Sequence, residues 1–355
     1  METTCVCLCL LLQLFLNAFA QDLPKQVPVV LTSWWQIADE DYDAGEYSNK
    51  PAPGEPTKRT HQEVSDFTIY QAANGKWELI SAVRHTKFPG EGHFLMRWEA
   101  DHITDQHWEN KGVFWTTHDF PESAGYTEGV FYAPYCVKAD GKYYLFHNSS
   151  GKGYLLVGDD GIHFKSWQNP DGSFPIFDAG DGGRDLMALD NRERDGLWYV
   201  YYTHADRNRP ELKDRQFSDV YVRTAKTPTG PWSDEHTAGM GTPNRPRSIV
   251  HSAADFVNTE SQFVIYHDGF YFKFEQGNVV ASRDPQDFAG KPVVASMFPN
   301  FSYPEQWWPG LAPEIVKDGD KMYIAYFMNH HEHPLGTLKQ GGVFVAELGW
   351  VDYRK

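Results

Sequence analysis

The sequence predicts an all-β protein, a five-bladed β-propeller, on three observations. One strand-turn-strand pattern recurs five times along 355 residues, few windows carry a helical period, and no composition break marks a second module. In the clearest copy, Glu260 opens the strand Phe263-Val264-Ile265-Tyr266, Asp268-Gly269 turns the chain, and Phe270-Tyr271-Phe272 returns it. Asp-Gly between such runs signals a hairpin, because a tight primed turn needs the positive φ that glycine adopts without strain. Similarity at roughly 50 to 75 residues means one supersecondary unit stacked on copies of itself.

Taken in order, the chain opens with an apolar run, Cys5 to Phe15, that ends at Ala18-Phe19-Ala20. This reads as a secretory leader over residues 1–20, leaving residues 21–355 as a single propeller and the mature protein as secreted, with no membrane association after cleavage. Only Cys136 of the four cysteines then remains, so no internal disulfide forms, and its β-run suits a buried thiol better than a nucleophile. Val29 to Trp35 is an apolar strand expected to complete the outer sheet of the last blade and so tie the chain ends together. Asp39 to Thr60, rich in acid, Pro and Gly, reads as a loop.

The other hairpins run from Asp66 through Asn74-Gly75, from Ala133-Pro134 through Asp140-Gly141, from Arg184-Asp185 through Asp195-Gly196, and from Ala312-Pro313-Glu314 through Gly319-Asp320. After each comes a third strand, and Ala100–Trp108, Asp159–Phe164, Thr224–Trp232 and Ser282–Phe288 read as turns with an aromatic anchor for the outer strand. Gly341 to Leu348 is the third strand of the final blade.

A formal charge of -16 argues against nucleic acid as a partner, since phosphate binding needs clustered Lys and Arg. An aromatic content of 15% supports a β-rich core and also supplies flat apolar faces for sugar rings. Asn148-Ser149-Ser150 and Asn300-Phe301-Ser302 match the N-glycosylation acceptor pattern. Oligomeric state is not encoded legibly.

The innermost strand of every propeller blade lines the central channel, so equivalent positions ring one end of it. Three strand-opening positions carry acids: Asp66, Asp185 and Glu260. A lone Asp at a strand start is usually a turn cap. Three at matching repeat positions converge in space, repel, and leave one protonated near neutral pH. A protonated acid facing an ionised carboxylate is what glycosidic bond hydrolysis requires. Glu260, with the longer arm, suits the proton donor, Asp66 the base and Asp185 the modulator. The chemistry requires no cofactor, although an oxygen-rich cluster in a channel also suits a structural calcium ion.

These residues resemble the five-bladed propeller glycoside hydrolases of families 43 and 32 and their relatives 62, 68 and 117, over about Trp34 to Trp350. The resemblance implies a catalytic Asp in the first blade, an Asp after Arg in the third and a Glu in the fourth, matched here by Asp66, Arg184-Asp185-Leu186 and Glu260-Ser261-Gln262. Ala133-Pro134 and Ala312-Pro313-Glu314 resemble the family's Ala-Pro blade openings. Leu186 and Gln262 depart from the family's proline, and Phe67 follows the first acid, at positions that bear on the backbone angle aiming the acids. Family 43 implies inversion and family 32 retention.

Arg184 is a candidate to orient sugar hydroxyls or a carboxylate, or to form an ion pair within the ring. Arg84, His85, His147 and His204 end hairpin strands, and Trp34-Trp35 and Trp307-Trp308 could stack on a sugar or wedge between blades. Glu314 lies two residues past its blade opening and is a rival acid. His330-His331-Glu332-His333 lacks the HExxH spacing of a zinc site. Trp35, Arg84, Arg184, His204 and Glu314 therefore stand as substrate-binding candidates. The expected activity is carbohydrate hydrolysis of the arabinofuranosidase or xylosidase type. Fructosidase or anhydro-galactosidase action, or carbohydrate binding without cleavage, are the alternatives, because fold does not fix function.

Overall fold

Five antiparallel sheets are formed by the described residues of a computed structural model. It describes residues 23–50, 52, 61–180, 183–205, 218–234, 236–237, 261–275, 277–288, 291–299, 310–328 and 341–353. The expected leader, Glu260, Asn300, Trp307-Trp308 and the His330–His333 run lie outside the described residues.

The first two strands, β1 (Gln26–Val30) and β2 (Trp35–Asp39), join the last blade. Blade 1 is β3 (Glu63–Gln71), β4 (Trp77–Arg84), β5 (Phe94–Ala100) and β6 (Glu109–Trp115). Blade 2 is β7 (Tyr132–Ala139), β8 (Lys142–Ser149), β9 (Lys152–Gly158) and β10 (Phe164–Ser166), with β11 (Phe177–Asp178) also on β9. Blade 3 is β12 (Arg184–Asp190), β13 (Trp198–Ala205), β14 (Ser218–Ala225) and β15 (His236–Thr237). Blade 4 is β16 (Phe263–His267), β17 (Phe270–Glu275), β18 (Asn278–Ser282) and β19 (Val293–Ser296). Blade 5 is β20 (Leu311–Asp318), β21 (Lys321–Met328) and β22 (Gly342–Asp352), completed on its outer side by β1 and β2.

The predicted closure is therefore present, but as two strands. β1 lies along the far half of β22, with Val30 opposite Leu348, and β2 along the near half, with Trp35 opposite Val345. Between them Trp34 leaves the ladder and stacks on Phe298 at 5.3 Å between ring centres.

Two hairpins turn as the sequence predicts. Asp140-Gly141 and Asp268-Gly269 each join paired strands as two-residue turns, with φ of 52° and 75° in the first and 41° and 84° in the second. Asp195-Gly196 differs. It ends a one-turn helix, Arg192–Asp195, where Gly196 at φ 81° caps the C-terminus. This is the one α-helix among the described residues. The aromatic anchors after the third strands are buried at Trp108, Phe164 and Phe288.

Alternating side chains of the second strands feed different seams. Tyr143 and Leu145 of β8 pack toward blade 1, whereas Tyr144 and Phe146 pack toward blade 3. Likewise Trp198, Val200 and Tyr202 of β13 pack toward blade 2, and Tyr199 and Tyr201 toward blade 4. Burial on both faces explains why these strands read as nearly continuous aromatic runs instead of alternating ones. Each fully buried ring contributes about 1.5–3 kcal/mol. The core is thus a ring of inter-blade seams that leaves the inner strand ends to face the axis.

Candidate active site

The ladder between first and second strands breaks at one place in four blades. Register shifts fall between Val64 and Phe67, Tyr132 and Tyr135, Arg184 and Met187, and Leu311 and Glu314, so two inner-strand residues bulge in each. Bulges of this kind re-aim side chains next to functional sites. Ala133, Asp185 and Ala312 open their bulges in the left-handed region at φ 45°, 59° and 49°, and Ser261, just before β16, is alike at 54°. A non-glycine residue there costs about 1–2 kcal/mol. The conformation is the same whether Pro134, Leu186, Gln262 or Pro313 follows, so the chain keeps its backbone angle where it departs from proline.

This corrects the expectation of matching acid positions. Asp66 is the second residue of its bulge, Asp185 the first of its own, and Glu260 immediately precedes Ser261. The two described acids still meet. An open pocket is lined from every blade: Asp66 and Phe67, Ala133 to Tyr135, Asp185 to Met187, Ser261 to Phe263, and Ala312 to Glu314.

Asp66 and Asp185 are joined through Ser261. The Ser261 hydroxyl donates to Asp66 Oδ1 at 3.3 Å, and its backbone N–H faces Asp185 Oδ2 at 3.3 Å. That places the two carboxylates within about 10 Å of each other. The Ser65 hydroxyl donates to the other oxygen of Asp66 at 3.3 Å. Asp185 is buried and held at its backbone from both neighbouring blades: Asn148 Oδ1 accepts its N–H at 3.2 Å and the Gln262 amide donates to its carbonyl at 2.9 Å. Arg184 Nε lies 3.5 Å from Asp185 Oδ2, the ion-pair alternative for this residue.

Glu314 lines the pocket but works as a strut. Its Oε1 accepts from the Thr68 hydroxyl at 2.8 Å and the Ile69 N–H at 3.0 Å, and Thr68 Oγ1 accepts from the Cys136 N–H at 2.8 Å. Blades 5, 1 and 2 are thereby tied to one another. Burial pushes the Glu314 carboxyl well above its ordinary range, against the pull of those two donors.

The remaining substrate-binding candidates have partners away from this pocket among the described residues. Trp35 sits on an outermost strand, edge-to-face with Tyr323 at 6.0 Å, in the seam between blades 5 and 1. Arg84 stands at the same end of blade 1 as Asp66 but engages Glu63 at 2.7 Å. His204 ends β13 beside Tyr221, over the Gly180 backbone, where a Cβ would come within 2.8 Å of the ring. None of the three lines the pocket. His147 is fully buried among Phe120, Tyr126, Phe131 and Tyr154, and burial holds its ring well below the usual histidine range. Asn148 is buried and bonded to Asp185, so it is no accessible glycosylation acceptor.

Sequence reasoning gave no role to Ser65, Ser261 or Thr203, and it noted Gln262 only as a departure from the family's proline. Ser261 carried a signal, since it occupies the repeat position that holds Asp185 in blade 3. Thr203 Oγ1 lies 3.3 Å from both the Ser261 N–H and Gln262 Oε1 and carried none.

No family model matches the chain. Over 120 residues it is 33% identical to a probable arabinan endo-1,5-alpha-L-arabinosidase C of Aspergillus clavatus, covering 32% of this chain and 34% of that relative. The chain thus matches about a third of that relative's length. Among solved structures, a thermostable family-43 glycoside hydrolase superposes with a TM-score of 0.57 at 15% identity, over 87% of this chain and 97% of that one. The endo-arabinase from Bacteroides thetaiotaomicron VPI-5482 gives 0.54 at 12% identity, over 85% and 97%. The architecture that carries Asp66 and Asp185 is that of the five-bladed family-43 glycoside hydrolase propellers.

Proposed function

We propose that the protein is a secreted glycoside hydrolase acting on arabinofuranosyl or xylosyl linkages of plant-type saccharides. The supporting observation is the pair Asp66 and Asp185, brought from different blades to one pocket and linked by Ser261. The similarity to an arabinan-cleaving relative favours arabinofuranosyl units. Glu260, adjoining Ser261 in the chain, is the proton donor. It protonates the departing glycosidic oxygen as the C–O bond breaks. Asp66 takes a proton from the water whose oxygen forms the new bond to the anomeric carbon, giving inversion. Asp185 orients the donor and the sugar hydroxyls, with Arg184 beside it. Proton exchange with solvent restores both acids.

The expected leader makes the enzyme extracellular or periplasmic. Among the described residues no helix is long and apolar enough to cross a membrane. The proposed reaction uses no cofactor. Among the described residues no three His, Cys, Asp or Glu side chains are grouped to hold a metal, so a structural calcium in the channel would draw on backbone carbonyl and water oxygens as well as carboxylates. Glu314 Oε1 is already engaged by Thr68 and Ile69.

The test is turnover of defined aryl α-L-arabinofuranosides, β-xylosides, galactosides and fructans by wild type and Asp66→Asn. Arabinoside or xyloside cleavage that falls at least about 10³-fold in Asp66→Asn supports the reading. Binding of one of these sugars with no cleavage would instead make the propeller a carbohydrate-binding protein.

A further inference from the structure

The pocket contains a residue whose geometry is unexplained by stability. Ser261 holds a left-handed backbone at φ 54°, as Ala133 and Ala312 do at the same place in their blades. Those alanines show that the fold needs no hydroxyl there. Ser261 nevertheless directs its hydroxyl to Asp66 and its N–H to Asp185, contacting both acids from a third blade. Ser65 approaches Asp66 from the opposite oxygen, so the carboxylate is gripped on both sides.

We propose that Ser261 is a positioning residue that fixes the Asp66 carboxylate relative to Asp185, and so sets the line along which water is delivered to the sugar. The proposal rests on the hydrolase reading above for its kinetic consequence, but its structural content does not. The backbone of Ser261 is anchored independently: its N–H also faces Thr203 Oγ1 at 3.3 Å, and the next residue, Gln262, is tied to Asp185. A hydroxyl mounted on so constrained a segment has little freedom, which makes it a suitable stop for a carboxylate rotor. Misplacing a reacting group by an ångström costs up to about 100-fold in rate, so losing this stop affects turnover more than binding. Two hydroxyl donors also favour the ionised form of Asp66. The titratable and charged groups sharing the pocket among the described residues are Asp185, Glu314 and Tyr135, with Arg184 beside Asp185. Of these, Asp185 contacts the same serine.

Ser261→Ala removes only the hydroxyl in a conformation alanine already adopts elsewhere in this chain. The expected result is a kcat lower by about 10- to 100-fold, KM within about twofold, an unchanged melting temperature, and an acid limb of kcat/KM moved to higher pH. A kcat within twofold of wild type with the acid limb unmoved overturns the proposal. Should Ser261→Ala fold poorly, Ser261→Gly carries the same test, because glycine accepts the left-handed backbone without strain. Should wild type cleave no sugar, the hydrolase reading fails while this inference is still tested. Carbon-13 NMR titration of the Asp66 carboxyl in wild type and Ser261→Ala then decides. A midpoint raised in the variant upholds the contact, and identical titrations overturn it.

Discussion

Gln262 reaches from blade 4 to blade 3, its side-chain amide donating to the Asp185 backbone carbonyl at 2.9 Å. The residue is buried, and its oxygen accepts from the Thr203 hydroxyl at 3.3 Å, so it replaces a turn-forming proline with a tie between blades. Gln262→Pro would place proline where blades 2 and 5 carry Pro134 and Pro313 while removing both bonds. It should destabilise by about 1–3 kcal/mol, the cost of leaving a buried carbonyl unpaired. A denaturant midpoint equal to wild type would show that the tie contributes nothing.

Glu314 offers a second prediction. Burial raises its carboxyl well above the ordinary range and the donors reach it through Oε1, so an amide can take its place with the carbonyl oxygen still accepting from Thr68 and Ile69. Glu314→Gln should change stability by less than about 1 kcal/mol, whereas Glu314→Ala leaves the Ile69 N–H unpaired and loses about 1–3 kcal/mol. Urea unfolding of both variants separates them, and equal losses would contradict the strut.

A pH dependence follows from Glu40. Burial first, then the nearby Glu63, raise its carboxyl from an ordinary 4.5 to about 8, with the Gly341 N–H and Arg84 opposing. Between those values the folded protein keeps the proton that the unfolded chain releases. Glu40's contribution is therefore fully present below pH 4.5 and is lost as pH rises toward about 8. Glu40→Gln should be more stable than wild type above pH 8, with the advantage shrinking on acidification and gone below 4.5. Melting temperatures of the two proteins across that window check the sign.

Trp35 should matter to the fold and not to the sugar. Trp35→Ala removes an edge-to-face partner of Tyr323 at the blade 5 closure and should cost on the order of 2 kcal/mol, with KM unchanged. A KM raised severalfold in a variant with wild-type melting behaviour would return Trp35 to the substrate.

The blade number was legible because local chemistry encodes it: Asp140-Gly141 and Asp268-Gly269 take the positive φ that their hairpins require. The meeting of Asp66 and Asp185 was legible for the same reason, since repeats around an axis bring their inner strands together. The offset between those acids was not, because a bulge shifts register by one residue and leaves no mark in composition. That Trp35, Arg84 and His204 lie outside the pocket lining was illegible for a related reason. Aromatic and basic residues at strand ends serve seams and ion pairs as readily as sugars, and only Arg84's contact with Glu63 or Trp35's with Tyr323 distinguishes the uses. Asn148 was read from three adjacent letters, while its partner Asp185 lies 37 residues away.

Leaving-group dependence of Glu260→Gln tests the central claim most directly. If Glu260 is the proton donor beside Asp66 and Asp185, the variant should lose at least about 10³-fold in kcat on arabinosides with poor leaving groups. On an activated aryl arabinoside, whose phenolate departs without protonation, it should lose far less. Equal losses on both substrates, or full activity on the poor one, would contradict acid catalysis at this end of the channel.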